Sequence, residues 1–313
     1  MLDSFLRWND RQDQAFAECY RIISVEIESP NQKKIYLGQN QPRLCRYCDE
    51  GPEHTTFKEK SHAIPMFLGN RTIIDLMECD RCNHHFGSHF EDSFANYIHP
   101  FRPLQRTRGR KGIPGYKDED LRIQALTPSF LEISAHGKLD FDDLKVEGER
   151  RLKLPMKRLP FYPTAVHKSL IKIALALMPA EDHVRFGDLK RWLLAKDHRP
   201  RVRGFGPVME WFISGPTNPD RIRCIVARAK EEFRDKVFEY QLIFCFGNFQ
   251  FQLTIPLSAE AGKEKNYVRA PLLMPTEHFR AFGESDFEDK IFESGVRVEN
   301  EEISVLIQYS NDV

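Results

Sequence analysis

CRYCDEGPEHTTFKEKSHAIPMFLGN, residues 45–70, opens with two cysteines separated by two residues and places a histidine three residues before a proline. ECDRCNHHFG, residues 78–87, supplies a second pair of the same spacing. The four cysteines are Cys45, Cys48, Cys79 and Cys82. Two such pairs about thirty residues apart are typical of four thiolates that surround one tetrahedral zinc ion. Because four cysteines leave no coordination position open, the predicted zinc is structural and stabilises a segment too small for a core of its own.

The composition argues against several broad classes of protein. The 313 residues carry 46 basic and 46 acidic side chains, so any site for a polyanion has to be a local patch. The first residues lack a basic leader with an apolar stretch, and about 18 apolar residues never run together, so we expect neither a signal peptide nor a membrane span. We therefore expect a cytoplasmic protein, and in that compartment paired cysteines more often bind metal than form disulfides.

The length and the order of the elements predict an α+β protein with two main domains. We expect an N-terminal extension over residues 1–34, a zinc-stabilised domain over 35–116, a β-rich connector over 117–160 and a C-terminal α+β domain over 161–313. No internal repeat or long low-complexity tract interrupts this order.

A helix and a hairpin define the predicted C-terminal domain. PTAVHKSLIKIALALMP, residues 163–179, spaces its apolar residues at helical intervals. The apolar face comprises Val166, Leu170, Ile173 and Leu177. Lys168 and Lys172 fall off that face. FEYQLIFCFGNFQFQLTIP, residues 238–256, alternates apolar and polar residues on both sides of a Gly-Asn pair, which predicts a tight hairpin.

The order of the motifs around the cysteines resembles a known enzyme family. The chain reads C-x2-C, then H-x-x-P, then L-G, then C-x2-C-N, then F-G followed by an acidic residue. SHAIPMFLGN at 61–70, ECDRCNHHFG at 78–87 and GRKGIP at 109–114 are similar to segments of bacterial HNH endonucleases. The resemblance covers about a quarter of the chain, roughly Ile35 to Tyr116. It implies a ββα-metal domain with treble-clef-like zinc, followed by the C-terminal α+β domain.

The same resemblance implies roles for particular residues in phosphodiester hydrolysis. His62 matches the general base, and Asn83 matches a ligand of a catalytic Mg²⁺ or Mn²⁺ through its amide oxygen. Asp75 lies near the place of the middle asparagine that orients the histidine. Ser61 stands where many relatives carry an acid, so either Asn83 holds the ion with waters and substrate phosphate, or another group such as Glu91 contributes.

A basic segment follows the predicted catalytic helix. Five basic residues occur without an acid among them: Arg102, Arg106, Arg108, Arg110 and Lys111. Lys and Arg contacts to phosphate position a strand without reading its sequence, so we expect nucleic-acid binding and cleavage of weak sequence specificity. His85 and His89 share a helix face at i, i+4, and we expect them on the surface or facing DNA rather than as metal ligands.

These expectations combine into a metal-dependent HNH endonuclease that cuts DNA, with RNA as the alternative substrate. The resemblance further implies a bacterial defence protein, a restriction or antiphage effector, whose C-terminal domain targets, regulates or oligomerises it. A homo-oligomer, an activating ligand and a partner protein are all compatible with the sequence. The first alternative is a non-catalytic zinc-knuckle protein that binds nucleic acid or has a regulatory function. The second alternative is a protein-interaction scaffold.

Overall fold

The computed structural model describes residues 2–29, 31–127, 130–200, 206–213, 215–216, 222–257, 269–273 and 286–308. The helices are α1 (Leu2–Cys19), α2 (Asp80–Phe86), α3 (Asp92–Tyr97), α4 (Phe101–Leu104), α5 (Pro163–Leu177) and α6 (Gly187–Leu194). The strands are β1 (Tyr20–Glu28), β2 (Ile35–Leu37), β3 (Ile73–Asp75), β4 (Tyr116–Lys117), β5 (Leu121–Ala125), β6 (Leu131–Ala135), β7 (Arg151–Lys157), β8 (Val208–Phe212), β9 (Ile222–Ala229), β10 (Tyr240–Phe246), β11 (Phe249–Ile255), β12 (Asp286–Lys290) and β13 (Glu302–Gln308). The predicted α+β class is confirmed.

A six-stranded antiparallel sheet dominates the C-terminal half, in the order β1-β9-β10-β11-β8-β12. The predicted hairpin is β10–β11, which turns at Gly247 with φ +52° and at Asn248. Strand β1 comes from the first 34 residues, which we expected to be an extension, and pairs with β9 over its full length. The N-terminal residues are therefore built into the C-terminal sheet.

The zinc segment folds as two short strands and a helix. Strand β2 pairs in parallel with β3, and His62 makes an isolated antiparallel bridge to Ile74 on β3. A continuous helical stretch follows over 80–97, in which one π-helical turn, Gly87–Glu91, joins α2 to α3. This is the expected ββα arrangement, with His62 beside the middle strand.

One hydrophobic core joins the zinc segment to the C-terminal half. It contains Phe86, Phe90 and Phe94 of the helical stretch together with residues of α5 and of the sheet. The ring of Phe94 meets those of Phe246 and Phe251 edge-on, with centroids 6.3 Å and 5.9 Å away. These apolar contacts fix the helical stretch against the sheet.

Helix α5 lies at the centre of this core, and every one of its residues is buried. Lys168 and Lys172, which fall off the predicted apolar face, are buried with the rest of the helix. The face that carries them is covered by α3, by the π-helical turn and by the zinc segment, so both ammonium groups are buried. No helix of the described residues is both long and apolar enough to cross a bilayer.

Two buried histidines, His167 on α5 and His183 after it, predict a loss of stability in acid. Burial lowers the pKa of His167 to about 3, and burial together with the nearby charges of Arg46 and Lys190 lowers that of His183 to about 3. Their unfolded pKa is near 6.5, so the stability they contribute is complete above that pH and is lost as the pH falls toward 3. The free energy of unfolding should fall by about 1.4 kcal/mol per pH unit for each histidine.

Urea unfolding curves at pH 7.5, 6.0 and 5.0 measure this slope. The matched variant His167→Gln should lose about half of the histidine contribution, while acid effects on the zinc site stay the same in both proteins. Equal slopes for the variant and the natural protein would contradict the assignment.

Candidate functional site

Four cysteine sulfurs form the best-defined cluster of the described residues. All four Sγ atoms lie within 4.8 Å of one another, with Cys45 and Cys82 3.7 Å apart and Cys48 and Cys79 3.8 Å apart. A tetrahedral zinc with Zn–S bonds of about 2.3 Å requires sulfur–sulfur edges of about 3.8 Å. All four thiols are free of disulfides, so the residues fit the predicted structural zinc.

The first cysteine pair carries an arginine that fastens the zinc segment to α5. The Nη1 atom of Arg46 donates to the carbonyls of Leu175 at 2.9 Å and Ala176 at 2.6 Å, the last turn of α5. Its Nε lies 3.0 Å from Oδ2 of Asp75 in a buried ion pair. A cation at a helix C-terminus satisfies orphan carbonyls and meets the negative end of the helix dipole.

The same contact overturns the predicted role of Asp75. One of its carboxylate oxygens faces Arg46 and the other accepts the Met77 backbone N–H at 3.0 Å. Within the described part of the chain, Nδ1 of His62 has no hydrogen-bond partner, so Asp75 does not orient that ring. Asp75 instead holds the arginine that joins the two halves.

His62 is half-buried and surrounded by positive charge. Burial, together with the charges of Lys172, Arg71 and Lys34, lowers its pKa to about 4. The imidazole is therefore neutral at pH 7, the form that can accept a proton. Its Nδ1 is buried and carries no hydrogen bond among the described residues.

Asn70 organises the loop after His62, and the sequence analysis missed it. Its amide nitrogen donates to the carbonyls of Ile64 at 2.7 Å and Ile73 at 2.9 Å. Its amide oxygen accepts the backbone N–H groups of Thr72 and Ile73. The side chain is fully buried and uses both ends, so Asn70 ties the segment after His62 to the strand that His62 bridges.

Asn83 lies in the first turn and a half of α2, which begins at Asp80 rather than at Asn83. Its amide nitrogen donates to Oε2 of Glu59 at 2.7 Å, which turns the amide oxygen the other way. No hydrogen bond among the described residues ends on that oxygen. The carboxylate of Asp80 accepts from the backbone of Lys58 and of Glu59, so the loop before His62 is held along the helix that carries Asn83.

The π-helical turn changes which residues share a face with Asn83. In a regular helix Glu91, eight residues on, would be rotated by about 80° from Asn83. The turn adds one residue, so the rotation falls to about 20°. Glu91 Oε1 lies 3.5 Å from Nζ of Lys172, and Glu91 joins no group of three metal-ligating side chains among the described residues. Its predicted part in ion binding stays a prediction.

His85 and His89 are placed against the C-terminal half. His85 Nε2 lies 3.1 Å from the Leu193 carbonyl at the end of α6, because α6 packs on α2. His89 Nδ1 lies 2.9 Å from the carbonyl of His85 and 2.8 Å from Oγ of Ser88. Both rings are half-buried, and contact of His85 and His89 with DNA stays a prediction.

The basic segment forms a hairpin tip next to the loop of Asn70. Gly109 and Gly112 bond to each other's backbone and leave Arg110 and Lys111 exposed at the tip. A Cβ added at Gly109 would lie 2.5 Å from Nη2 of Arg102, so a side chain there would have to displace the end of that arginine. The five predicted side chains divide into two groups. Arg108, Arg110 and Lys111 are exposed, whereas Arg102 and Arg106 are half-buried.

Arg71 fixes this tip to the site. Its guanidinium donates to the carbonyls of Arg108 at 2.8 Å and Gly109 at 2.7 Å, and also to the carbonyl of Met66 in the loop after His62. The backbone N–H of Arg71 donates to the buried carboxylate of Glu28 at the end of β1. Arg71 lies one residue after Asn70, so the exposed cations are held at a set position relative to His62.

The site combines the parts of a ββα-metal nuclease domain: a cysteine cluster that fits zinc, a neutral histidine beside a short strand pair, and a helix that follows. Residues 45–98 match the model of the HNH endonuclease family, and this segment is therefore an HNH endonuclease domain. No curated protein and no solved structure matches the chain. The matched segment ends before the basic hairpin tip and before the C-terminal half.

Proposed function

We propose that the protein is a metal-dependent endonuclease that hydrolyses DNA phosphodiester bonds with weak sequence specificity. One observation carries the proposal: a neutral, half-buried His62 with an unpartnered ring nitrogen, surrounded by the cationic side chains of Lys172, Arg71 and Lys34. A neutral base suits this chemistry, because burial, together with the neighbouring cations, keeps the imidazole unprotonated and able to accept a proton.

The chemistry divides among few residues. His62 accepts the proton of the attacking water, which a neutral imidazole can do at physiological pH. The free amide oxygen of Asn83, with substrate phosphate and waters, would hold Mg²⁺ or Mn²⁺, since these ions prefer oxygen donors. Such an ion, when bound, supplies neutralisation of the charge that builds on the phosphate and on the leaving oxygen. The four cysteines would hold zinc, which stabilises the fold.

The hairpin tip supplies the contacts to the nucleic-acid backbone. Arg108, Arg110 and Lys111 are exposed and close in sequence, and Arg71 fastens them beside the loop of His62. Exposed cationic side chains that contact phosphates fix the position of a nucleic-acid strand but do not distinguish its bases. This supports weak intrinsic sequence specificity. We propose DNA as the substrate, and RNA is the alternative that a direct comparison of cleavage would separate.

The biological setting is also a proposal. By family resemblance we propose a cytoplasmic bacterial effector of restriction or antiphage defence, with a targeting or regulatory task for the C-terminal half. Two copies of the site in a homo-oligomer would turn single nicks into double-strand breaks, and a ligand or partner protein acting on the C-terminal half would regulate cleavage.

Cleavage of supercoiled plasmid tests the proposed activity. The natural protein should nick plasmid when Mg²⁺ or Mn²⁺ is added and should leave it intact when the divalent ion is omitted. Asn83→Ala should lower the nicking rate by about 10- to 100-fold, because the ion loses its one protein ligand. Asn40→Ala, a change at an exposed asparagine, is the matched control and should leave the rate unchanged.

A non-catalytic nucleic-acid-binding module is the second candidate. It is favoured by Ser61, whose hydroxyl is buried against the Glu78 carbonyl where relatives carry an acid, and by the engagement of Asp75 with Arg46. Plasmid that is bound but stays intact with every divalent ion tested would select this candidate over the nuclease.

A further inference from the structure

A buried lysine of the C-terminal half reaches the site from outside the matched domain. Lys172 lies on α5, and its side chain is 2% exposed. Its Nζ donates to the backbone carbonyl of His62 at 2.8 Å and lies 3.1 Å from Glu78 Oε2 and 3.5 Å from Glu91 Oε1. These three acceptors match the three donors of an ammonium group.

The three partners of Lys172 belong to three different pieces of the HNH domain. The carbonyl belongs to His62 itself, Glu78 directly precedes the second cysteine pair, and Glu91 ends the π-helical turn of the helix that carries Asn83. The side chain of Glu78 is completely buried. Without the ammonium, the neighbouring side chains of Glu78 and Glu91 would lose the cation that they share. Loss of this contact is therefore expected to lower the free energy of unfolding.

We propose that Lys172 is a positioning residue of the nuclease: its ammonium ties the backbone of His62 to Glu78 and Glu91, and so sets the imidazole relative to the helix of Asn83. This inference rests on the proposed function. On this view the C-terminal half supplies the side chain that positions the catalytic centre of the HNH domain. Lys172 does not itself touch substrate.

The geometry favours positioning over a general contribution to stability. The bond from Lys172 ends on the residue proposed as the base, and a displacement of about 1 Å in such a group is enough to lower a rate about 100-fold. Lys168, one turn earlier on α5, is equally buried but donates to the carbonyls of Ala195 and Asp197, away from His62. Lys168 is therefore a matched control for loss of a buried lysine.

Single-turnover nicking and DNA affinity are measured for Lys172→Met and Lys168→Met. Lys172→Met should lower the nicking rate constant about 30- to 100-fold and keep the dissociation constant for DNA within about twofold. Lys168→Met should keep the nicking rate constant and the dissociation constant for DNA within about threefold of the natural protein, even if its melting temperature falls. Equal loss of nicking in both variants would overturn the proposal, since it would show a structural effect only.

The double variant Glu78→Gln/Lys172→Met separates folding from positioning. It removes a buried carboxylate together with its partner cation, so its melting temperature should recover relative to Lys172→Met. Nicking should stay slow, because no group then holds the His62 carbonyl. Recovery of nicking together with the melting temperature would overturn the proposal.

A measurement without DNA distinguishes failure of this inference from failure of the proposed activity. The rate at which diethylpyrocarbonate modifies His62, read by mass spectrometry of the peptide, should rise at least about fivefold in Lys172→Met and stay unchanged in Lys168→Met. A natural protein that nicks no substrate would refute the proposed function, and the modification rates would still decide this inference. An unchanged rate in Lys172→Met would overturn it.

Discussion

Replacement of His62 by alanine should lower the rate constant for DNA nicking by about 10³-fold. The variant loses the only proposed proton acceptor, and a positioned general base contributes roughly 10²- to 10⁴-fold to a rate. Its DNA affinity should stay within about threefold, because the phosphate contacts are assigned to the hairpin tip. Single-turnover cleavage of a labelled duplex, with binding measured separately by fluorescence anisotropy, checks both quantities.

The control for this variant is His54→Ala, which removes an exposed histidine of the same domain. His54→Ala should cleave like the natural protein, and both variants should keep one zinc per chain. If His62→Ala loses less than about tenfold in rate while it remains folded, His62 is not the base.

Loss of zinc should unfold the HNH domain and loosen α5. In Cys79→Ser one thiolate of the four is gone, and structural zinc sites of this kind carry about 10 to 16 kcal/mol of apparent binding free energy that is also folding free energy. The loss should spread beyond the cysteines because Arg46, between the first pair, holds the carbonyls of Leu175 and Ala176. Zinc content, circular dichroism and the urea midpoint together measure the effect.

Cys19→Ser is the control for the zinc prediction, since Cys19 lies at the end of α1 and outside the cluster. This control should keep its zinc and most of its stability. A Cys79→Ser protein with the melting temperature and helix content of the natural protein would contradict a structural zinc.

The features that the sequence predicted correctly are local patterns. The four cysteines are fixed by two short spacings, and the β10–β11 hairpin is fixed by a Gly-Asn turn between alternating residues. Both patterns report on residues that are neighbours in the chain. The resemblance also assigned roles to His62 and Asn83, because their motif lies within one short segment, and those roles remain predictions.

The features that the sequence did not predict depend on distant contacts. The helical period of α5 separates an apolar face from Lys172, but only the fold shows that carboxylates of the HNH domain cover the other face. Asn70 received no role from the sequence, because its role depends on both ends of its amide bonding to backbone on two sides of a loop. For the same reason β1 was not assigned to a sheet whose partner strand lies about 200 residues later.

The single core shared by the zinc segment and α5 limits how the two halves of this protein can be recombined with others. A fragment that ends after residue 116 would present the rings of Phe90 and Phe94 to water, since their partners lie in the C-terminal half. Replacement of the HNH domain by another domain would therefore require matching changes in the surface of the C-terminal half that packs against it. We expect the two halves to be inherited together.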